Sequence, residues 1–254
     1  MLRPRIIPCL LIHNQGLVKT VKFKDPKYVG DPINAVRIFN EKEADELILF
    51  DIDVTANGLE PNFRLLAQLA AECCMPLCYG GGVTTVAHAR KIIGLGVEKV
   101  AISAAAALNP LLVSQIANEI GGQSVVVVLD VKTNLFGKQE VWIQNGRKNT
   151  GKSPVDLAQQ VAALGAGEIV INSIDRDGQM NGYDLQLARK IREVVCLPLT
   201  VLGGAGSLGD IEELFETCGV VGAAAGSFFV FKGAYRAVLI SYPSAHVKEN
   251  LLQR

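Results

Sequence analysis

The chain has 254 residues, of which 49% are hydrophobic and 20% are charged, so it is long enough to bury one sizeable core. Its 25 basic and 25 acidic residues cancel, which gives no electrostatic basis for binding nucleic acid or an anionic membrane. The longest apolar runs, such as VVVVL at 125–129, have the length of a strand and cannot cross a bilayer. We therefore expect one cytoplasmic domain over residues 1–254.

Eight strand-like segments alternate with eight helix-like segments. The predicted strands are 5–12, 46–52, 76–80, 97–103, 124–131, 168–173, 198–202 and 220–225. The predicted helices are 31–43, 61–74, 84–95, 109–119, 154–164, 184–194, 208–217 and 233–241, and proline near the first turn marks several starts, as in Asp31-Pro32, Asn109-Pro110 and Ser153-Pro154. The strands are continuous apolar runs, which is typical of parallel strands covered on both faces. The pattern predicts a (β/α)8 barrel, with a doubly wound open sheet as the alternative.

The two halves of the chain repeat each other. ELILFDID at 46–53 matches EIVINSID at 168–175, and PLCYGGG at 76–82 matches PLTVLGG at 198–204, with the same spacing of 122 residues for both pairs. A spacing shared by several motifs indicates an internal duplication. Two similar half-barrels would create two similar sites at the carboxyl ends of the strands.

Glycine-rich loops follow strands in both halves, and glycine lets backbone N–H groups approach an anion closely. In such barrels a phosphate commonly lies between the loops after strands seven and eight. The second-half candidates are Asp177, Gly178, Gly203, Gly204, Gly226 and Ser227, and the first-half candidates are Gly81, Gly82 and Ser103, followed by Ala104. The alternative is that these glycines only form tight turns. We expect two phosphate sites facing each other, with the second-half site better equipped.

At the opposite end of the barrel, four charged residues lie at strand starts. They are Arg5, Glu46, Lys99 and Glu168. Two cations and two anions could close a ring of salt bridges, but ordinary solvated charge is the default interpretation.

The cysteines and histidines give no sign of a metal or a cofactor. Cys73, Cys74 and Cys78 lack a fourth ligand at metal-site spacing, so the six cysteines are predicted to be buried free thiols. His13 is interpreted as a loop residue, because no nucleophile pairs with it in the sequence.

The halves differ at one position of chemical consequence. The first strand, RIIPCLLI, carries Leu11 where its counterpart, SVVVVLD, carries Asp130. Two carboxylates can pass protons between an acid and a base, and one carboxylate opposite a leucine cannot do so in the same way.

Motifs along nearly the whole chain resemble the cyclase subunit of imidazole glycerol phosphate synthase, from histidine biosynthesis. They include RIIPCL at 5–10, ADELILFDI at 44–52, VVVVLD at 125–130, GRKNTG at 146–151, SIDRDG at 173–178 and GGAG at 203–206. The resemblance implies a (β/α)8 barrel that docks a glutaminase subunit at its N-terminal face and conducts ammonia through its centre. It also implies two aspartates that act as acid and base on a bis-phosphorylated aminoimidazole precursor.

The resemblance implies roles for individual residues of this chain. Asp130 matches the strand-five aspartate, Leu11 replaces the strand-one aspartate, and Lys19 matches a loop lysine. The family's charged ammonia gate matches Arg5, Glu46, Lys99 and Glu168, which reverses the default interpretation of those charges. The family's second-half phosphate site matches the six residues from Asp177 to Ser227 named above. Ser103, Ala104 and Leu202 depart from the family's polar pattern at the mouth.

One branch of this family fits those departures, and the loop LVKTVKF at 17–23 resembles it. Its members occur in bacteria that build acetamidino sugars into lipopolysaccharide, and they pass ammonia to a third, amidotransferase-type protein. We favour this role, because losing one member of an acid/base pair costs about 10²–10⁴ in rate. The alternatives are a genuine cyclase (a lyase) of histidine biosynthesis and a non-catalytic scaffold that activates the glutaminase.

Overall fold

The computed structural model describes residues 3–252, whose central feature is a closed barrel of eight parallel strands. The barrel strands are β1 (Arg5–His13), β2 (Leu47–Asp51), β3 (Leu77–Gly80), β4 (Lys99–Ile102), β5 (Val125–Thr133), β6 (Glu168–Ser173), β7 (Leu199–Leu202) and β8 (Gly222–Ala225). β8 pairs in parallel with β1, which closes the sheet and rules out the open doubly wound alternative. The predicted (β/α)8 barrel is confirmed.

Helices between the strands cover the outside of the barrel. They are α1 (Pro32–Glu41), α2 (Phe63–Glu72), α3 (Val86–Gly94), α4 (Leu111–Ile120), α5 (Pro154–Ala163), α6 (Leu185–Val194) and α7 (Leu208–Cys218), with α8 (Ala245–Leu252) after β8. Asp31 and Ser153 cap α1 and α5 with their side chains, and proline occupies the first turn of both helices, as the sequence predicts.

The predicted helix at 233–241 is wrong. Phe231–Lys232 pairs antiparallel with Ala237–Val238 in a small hairpin. Gly233 turns this hairpin with a φ of 71°, a left-handed conformation that an α-helix does not contain. The helix that completes the barrel begins only at Ala245.

Two further hairpins extend β1 and β5 beyond the barrel, and the sequence analysis did not predict them. Gly16–Val21 and Lys24–Gly30 follow β1, whereas Gln139–Ile143 and Lys148–Asn149 follow β5. Because β1 and β5 begin the two halves, the hairpins follow the internal repeat. Short helical turns at Val54–Asn57, Ala104–Leu108, Gly122–Ser124 and Ser227–Val230 complete the described elements.

The inside of the barrel is a separate apolar cluster. Its buried members are Ile7, Cys9, Ile48, Cys78, Ala101, Val126, Val128, Val170, Leu202 and Ala224. Alternate residues of a barrel strand face the interior, so Ile7 and Cys9 on β1 lead along one face to Leu11. On β5 the same face runs from Val126 to Asp130. Leu11 and Asp130 therefore both face inward where their strands end.

The cysteine prediction is only partly right. Cys9 and Cys78 are buried in the barrel interior, whereas Cys74 and Cys196 are exposed. The exposed pair lies where α2 and α6 have ended and the chain returns to the barrel, so apolar sequence neighbours did not guarantee burial there. All six thiols are free.

Candidate functional site at the barrel mouth

The carboxyl ends of the strands surround a cavity of about 250 Å³, called here the mouth cavity. Leu11 and Asp130 both line it. Leu11 pairs with Phe50 on β2, and Asp130 pairs with Asn172 on β6. Phe50 and Asn172 occupy the same place in the repeated motifs ELILFDID and EIVINSID. The register thus makes Leu11 and Asp130 equivalent, as the sequence repeat predicts.

The Asp130 carboxylate is held by two neighbours. Ser103 Oγ donates to Oδ2 at 3.1 Å, and Asn172 Nδ2 donates to Oδ1 at 3.0 Å. Burial raises the pKa of Asp130 to about 6, although these two hydrogen bonds act in the opposite direction. A carboxyl group with this pKa can take up and release a proton near neutral pH.

The raised pKa of Asp130 predicts a pH-dependent stability difference. The pKa of this carboxyl group is about 3.9 in an unfolded chain and about 6 in the folded chain, so between these pH values the folded state holds one more proton. The stability of the fold therefore falls as pH rises through this range, because the buried carboxyl group has to ionise. We expect Asp130→Asn to unfold at a higher urea concentration than the parent at pH 7.5, with a free energy of unfolding that is larger by up to about 3 kcal/mol. The difference should shrink towards pH 4. Exposed Asp25→Asn is the control, and an equal gain at both pH values would contradict the assignment.

The first-half phosphate candidates line the mouth cavity, but their environment is acidic. Gly81, Gly82 and Ser103 are all present, and Gly82 N–H already donates to Thr55 Oγ1 at 3.0 Å. Of the described residues that line this cavity, only Asp51 and Asp130 are charged. Burial also raises the pKa of Asp51. Two carboxylates and no basic side chain disfavour a phosphate dianion at this place.

The second-half phosphate candidates meet in a smaller cavity of about 30 Å³, called the second-half cavity. It is lined by Asp177, Gly178, Gly203, Gly204, Gly226 and Ser227, together with Lys19. The Lys19 amine donates to Cys9 O at 2.8 Å and lies against Gly226, where a Cβ would leave it no room. This volume holds one or two waters, so a phosphate group requires Lys19 to move.

Asp177 anchors the hairpin after β1. Its Oδ2 accepts from Thr20 Oγ1 at 2.8 Å and from Phe23 N–H at 3.2 Å. Burial lowers the pKa of Lys19, and the nearby Cys9 and Asp177 act in the opposite direction. Asp177 therefore ties the β1 hairpin to the loop after β6, and both Asp177 and Lys19 line the second-half cavity.

At the other end of the barrel the four predicted charges form a closed ring, called the entrance ring. Arg5 bonds Glu46 through Nη1 and Glu168 through Nη2, the latter at 2.8 Å. Lys99 Nζ bonds the same two carboxylates at 2.8 Å each. Both glutamates are at least 95% buried. Four alternating charges, each with two partners, satisfy one another in a way that isolated surface charges do not.

The electrostatics of the ring depend on both cations. Burial alone would raise the pKa of Glu168, but attraction to Arg5 and Lys99 outweighs it and lowers this pKa to about 2. The glutamate therefore stays ionised at any physiological pH. Its contribution to stability is present above the usual glutamate pKa and is lost only as pH falls towards 2.

The sequence analysis missed Thr200, a fifth member of this cluster. Its hydroxyl donates to Glu168 Oε1 at 2.6 Å and accepts from Arg5 Nη2 at 3.3 Å, and the residue is fully buried. Gly222 on the neighbouring strand makes room, because a Cβ there would lie 2.1 Å from Thr200 Oγ1. A threonine inside the apolar run PLTVL was the available signal.

His13 also has a partner that the sequence did not reveal. It is the last residue of β1, and its Nδ1 lies 2.6 Å from Asp53 Oδ1. Asp53 Oδ2 accepts from Asn14 N–H at 2.7 Å. This contact ties the end of β1 to the loop after β2 at the rim of the mouth.

The described part of the chain has neither a metal-binding cluster nor a membrane-spanning helix. Residues 3–252 contain no group of three or more histidine, cysteine or carboxylate side chains arranged to hold a metal ion. In the same residues, each helix is too short or too polar to cross a bilayer.

Comparison with known proteins agrees with the barrel and its motifs. The model of a family described as histidine biosynthesis protein matches residues 5–236. The chain belongs to this family. Within it, the chain is similar to HisF, the cyclase subunit of imidazole glycerol phosphate synthase.

The similar relatives of this HisF-like chain fall into two groups. A provisionally named imidazole glycerol phosphate synthase subunit HisF from Leptospira borgpetersenii is 54% identical over 99% of both chains. A provisionally named HisF subunit from Vibrio vulnificus is 55% identical over 100% of this chain and 98% of its own length. A HisF subunit named without that qualification, from Alkaliphilus metalliredigens, is 39% identical over 90% of this chain and 91% of its own length.

Proposed function

We propose that this HisF-like chain receives ammonia from a glutaminase subunit, conducts it through the barrel and has little cyclase activity of its own. The observation that carries the proposal is the position of Leu11. It stands at the mouth where symmetry with Asp130 calls for a second carboxylate, while the entrance ring and the apolar interior are complete.

The two ends of the barrel support entry at one face and exit at the other. The entrance ring lies at the strand starts, and the mouth cavity lies at the strand ends. Between them the interior is lined by small and apolar side chains such as Cys9, Cys78 and Ala101. An apolar passage accepts neutral ammonia and disfavours ions, because a bare charge is costly to bury. The glutaminase therefore docks at the N-terminal face, around the entrance ring.

The lining of the mouth cavity supports a function other than cyclisation. Leu11, Phe23 and Phe50 present apolar surface to the mouth cavity, and the charges lining it are acidic. A bis-phosphorylated substrate needs a phosphate site at each end. Among the lining residues that lie within 3–252, a basic side chain, Lys19, is found at the second-half cavity and none at the mouth cavity. The residues assigned to cyclisation are thus reduced to Asp130 and Lys19.

The final step of the proposal is amidination of a surface-polysaccharide sugar by a third, amidotransferase-type protein that takes the ammonia. The pattern of similarity supports a branch apart from the histidine enzymes. Provisionally named relatives are 53–55% identical to this chain, whereas those named without qualification are 36–42% identical. The Vibrio and Pseudomonas relatives carry the numbers three and two in their subunit names, as additional copies would.

The second candidate is a genuine cyclase of histidine biosynthesis, and Asp130 favours it. Its hydrogen bonds to Ser103 and Asn172, with a pKa of about 6, preserve one working acid/base group. Complementation of a histidine auxotroph that lacks its own cyclase separates the two. We expect no growth from this chain produced with its glutaminase partner, and growth would establish the second candidate. A soluble complex recovered from the same cells controls for expression.

Phosphate binding is expected at the second-half cavity alone. Crystals grown with phosphate should show the anion near Gly204 and Ser227, with the Lys19 amine moved away from Cys9 O. Lys19→Met should weaken this binding, because Lys19 is the only basic side chain among the described residues that line the cavity. A cavity that stays closed in saturating phosphate would contradict the assignment.

A further inference from the structure

The C-terminal segment of the chain is bound to the end of the barrel that carries the entrance ring. Tyr242 Oη donates to Ile6 O at 2.8 Å and accepts from Asp45 N–H at 3.1 Å. Asp45 Oδ2 accepts from Ile6 N–H at 2.9 Å, and its Oδ1 accepts from Lys248 Nζ at 2.8 Å. Tyr242, Asp45 and Lys248, called here the clamp, therefore join the starts of β1 and β2 to α8.

The clamp holds the chain neighbours of two ring members. Ile6 follows Arg5 on β1, and Asp45 precedes Glu46 at the start of β2. The ladder between β1 and β2 begins only at Cys9. The clamp thus connects the two backbones ahead of the ladder, at the place where the ring side chains leave them.

The tyrosine of the clamp is itself held by packing. The centre of its ring lies 5.5 Å from that of Phe229 and 6.4 Å from that of Phe39. Burial raises the pKa of Tyr242, so the hydroxyl keeps the proton that it donates. Lys248 Nζ lies 5.2 Å from the centre of the same ring and also donates to Glu43 O at 2.9 Å. A hydroxyl that donates to one strand start and accepts from the other fixes their relative position.

The entrance ring depends on this relative position. Arg5, on β1, bonds Glu46, which begins β2, and it bonds Glu168 at 2.8 Å. Lys99 Nζ lies 2.8 Å from each of the two carboxylates. A shift of β1 against β2 would first change the contact between Arg5 and Glu46. Lys99 would respond as well, because it shares Glu46 with Arg5.

We propose that Tyr242 and Lys248 are positioning residues for the entrance ring. They act through the backbones of β1 and β2, which they hold in the alignment at which Arg5 and Glu46 meet. Passage of ammonia through the ring rests on the proposed function. The positioning of the ring rests only on the contacts given above, and it can be measured without a glutaminase.

Exchange of the Lys99 ammonium protons with solvent tests the proposal on the full chain alone. The ¹⁵Nζ resonance is assigned by its loss in Lys99→Arg, and the exchange rate is measured by NMR. Tyr242→Phe removes the hydroxyl and keeps the aromatic ring. We expect exchange about 10-fold faster than in the parent, because a shift of β1 against β2 no longer has to break the two hydrogen bonds of that hydroxyl.

Two further variants separate the clamp from a general loss of stability. Lys248→Met removes the bond to Asp45 and should also speed exchange at Lys99. Tyr183→Phe is the matched control, because it removes a buried hydroxyl that donates to Ala224 O at 3.0 Å, near the mouth end of β8. Faster exchange in both clamp variants, with the parent rate in Tyr183→Phe, supports the proposal. An unchanged rate in either clamp variant, or an equal acceleration in Tyr183→Phe, would overturn it.

A second readout separates the clamp from the proposed function. In the complex with the glutaminase, Tyr242→Phe should lower the amount of amidinated sugar that the third protein forms per glutamine consumed, and excess ammonium chloride should restore it. Faster exchange at Lys99 with unchanged product per glutamine would leave the positioning role standing and refute ammonia passage through the ring.

Discussion

Leu11→Asp is expected to raise ammonia-dependent cyclase activity by about 10²-fold or more. The register places the new carboxylate at the position equivalent to Asp130, facing the same mouth cavity. Because burial raises the pKa of Asp130 to about 6, the restored pair would contain one group that exchanges protons near neutral pH. The measurement is steady-state kcat/KM with the bis-phosphorylated precursor and an ammonium salt.

Leu11→Asn is the control for this gain. Asparagine has nearly the same shape as aspartate and adds the same polarity, but it does not transfer protons in this range. We expect Leu11→Asn to stay at the level of the parent. Equal activities of the two variants would show that the lost carboxylate does not limit the reaction. The other departures at the mouth, at Ser103, Ala104 and Leu202, would then account for the low activity.

Lys99→Ala is expected to uncouple glutamine hydrolysis from use of the ammonia. Lys99 bridges Glu46 and Glu168, and its removal leaves Arg5 as their remaining cation in the entrance ring. Ammonia released by the glutaminase would then escape at an opened entrance. We expect the amount of amidinated sugar that the third protein forms per glutamine consumed to fall by at least about 10-fold, because directed delivery is replaced by diffusion. Excess ammonium chloride should restore product formation.

Stability must be measured alongside this variant. Removing one partner of a buried ion pair typically costs about 3–5 kcal/mol, and Lys99 retains some exposure, so the lower part of that range is expected. The control for coupling is Arg37→Ala, which breaks the exposed pair between Arg37 and Glu72 on α1 and α2. A folded Lys99→Ala protein with unchanged product per glutamine would refute ammonia passage through the ring.

The barrel was predictable from the sequence because its signals are local and repeated. Apolar strands, proline at helix starts and the duplicated motifs all agree. The hairpins after β1 and β5 were missed because their strands show no regular alternation of apolar and polar residues. In Lys24–Gly30 five of seven residues are exposed, whereas the four middle residues of Gly16–Val21 are all buried. The false helix at 233–241 has the same origin, since a short hairpin gives no periodicity that distinguishes it from a helix.

The site was predictable only in part. The asymmetry between Leu11 and Asp130 follows from the repeat, and the structure places the two residues as expected. Whether Arg5, Glu46, Lys99 and Glu168 meet depends on closure of the barrel, which brings β1, β4 and β6 together across the axis. The roles of Thr200 and Asn172 could not be predicted, because they depend on hydrogen bonds to Glu168 and Asp130. These partners are more than 30 residues away in the chain.

The central claim is that the mouth of this barrel does not use ammonia for cyclisation. The most direct test reconstitutes the chain with its glutaminase partner and supplies glutamine labelled with ¹⁵N in the side-chain amide, together with the bis-phosphorylated precursor. Counting ¹⁵N in imidazole product and in free ammonium gives the partition. We predict that nearly all of the label leaves as ammonium. Imidazole product equimolar with the glutamine consumed would contradict the claim and establish the chain as a working cyclase.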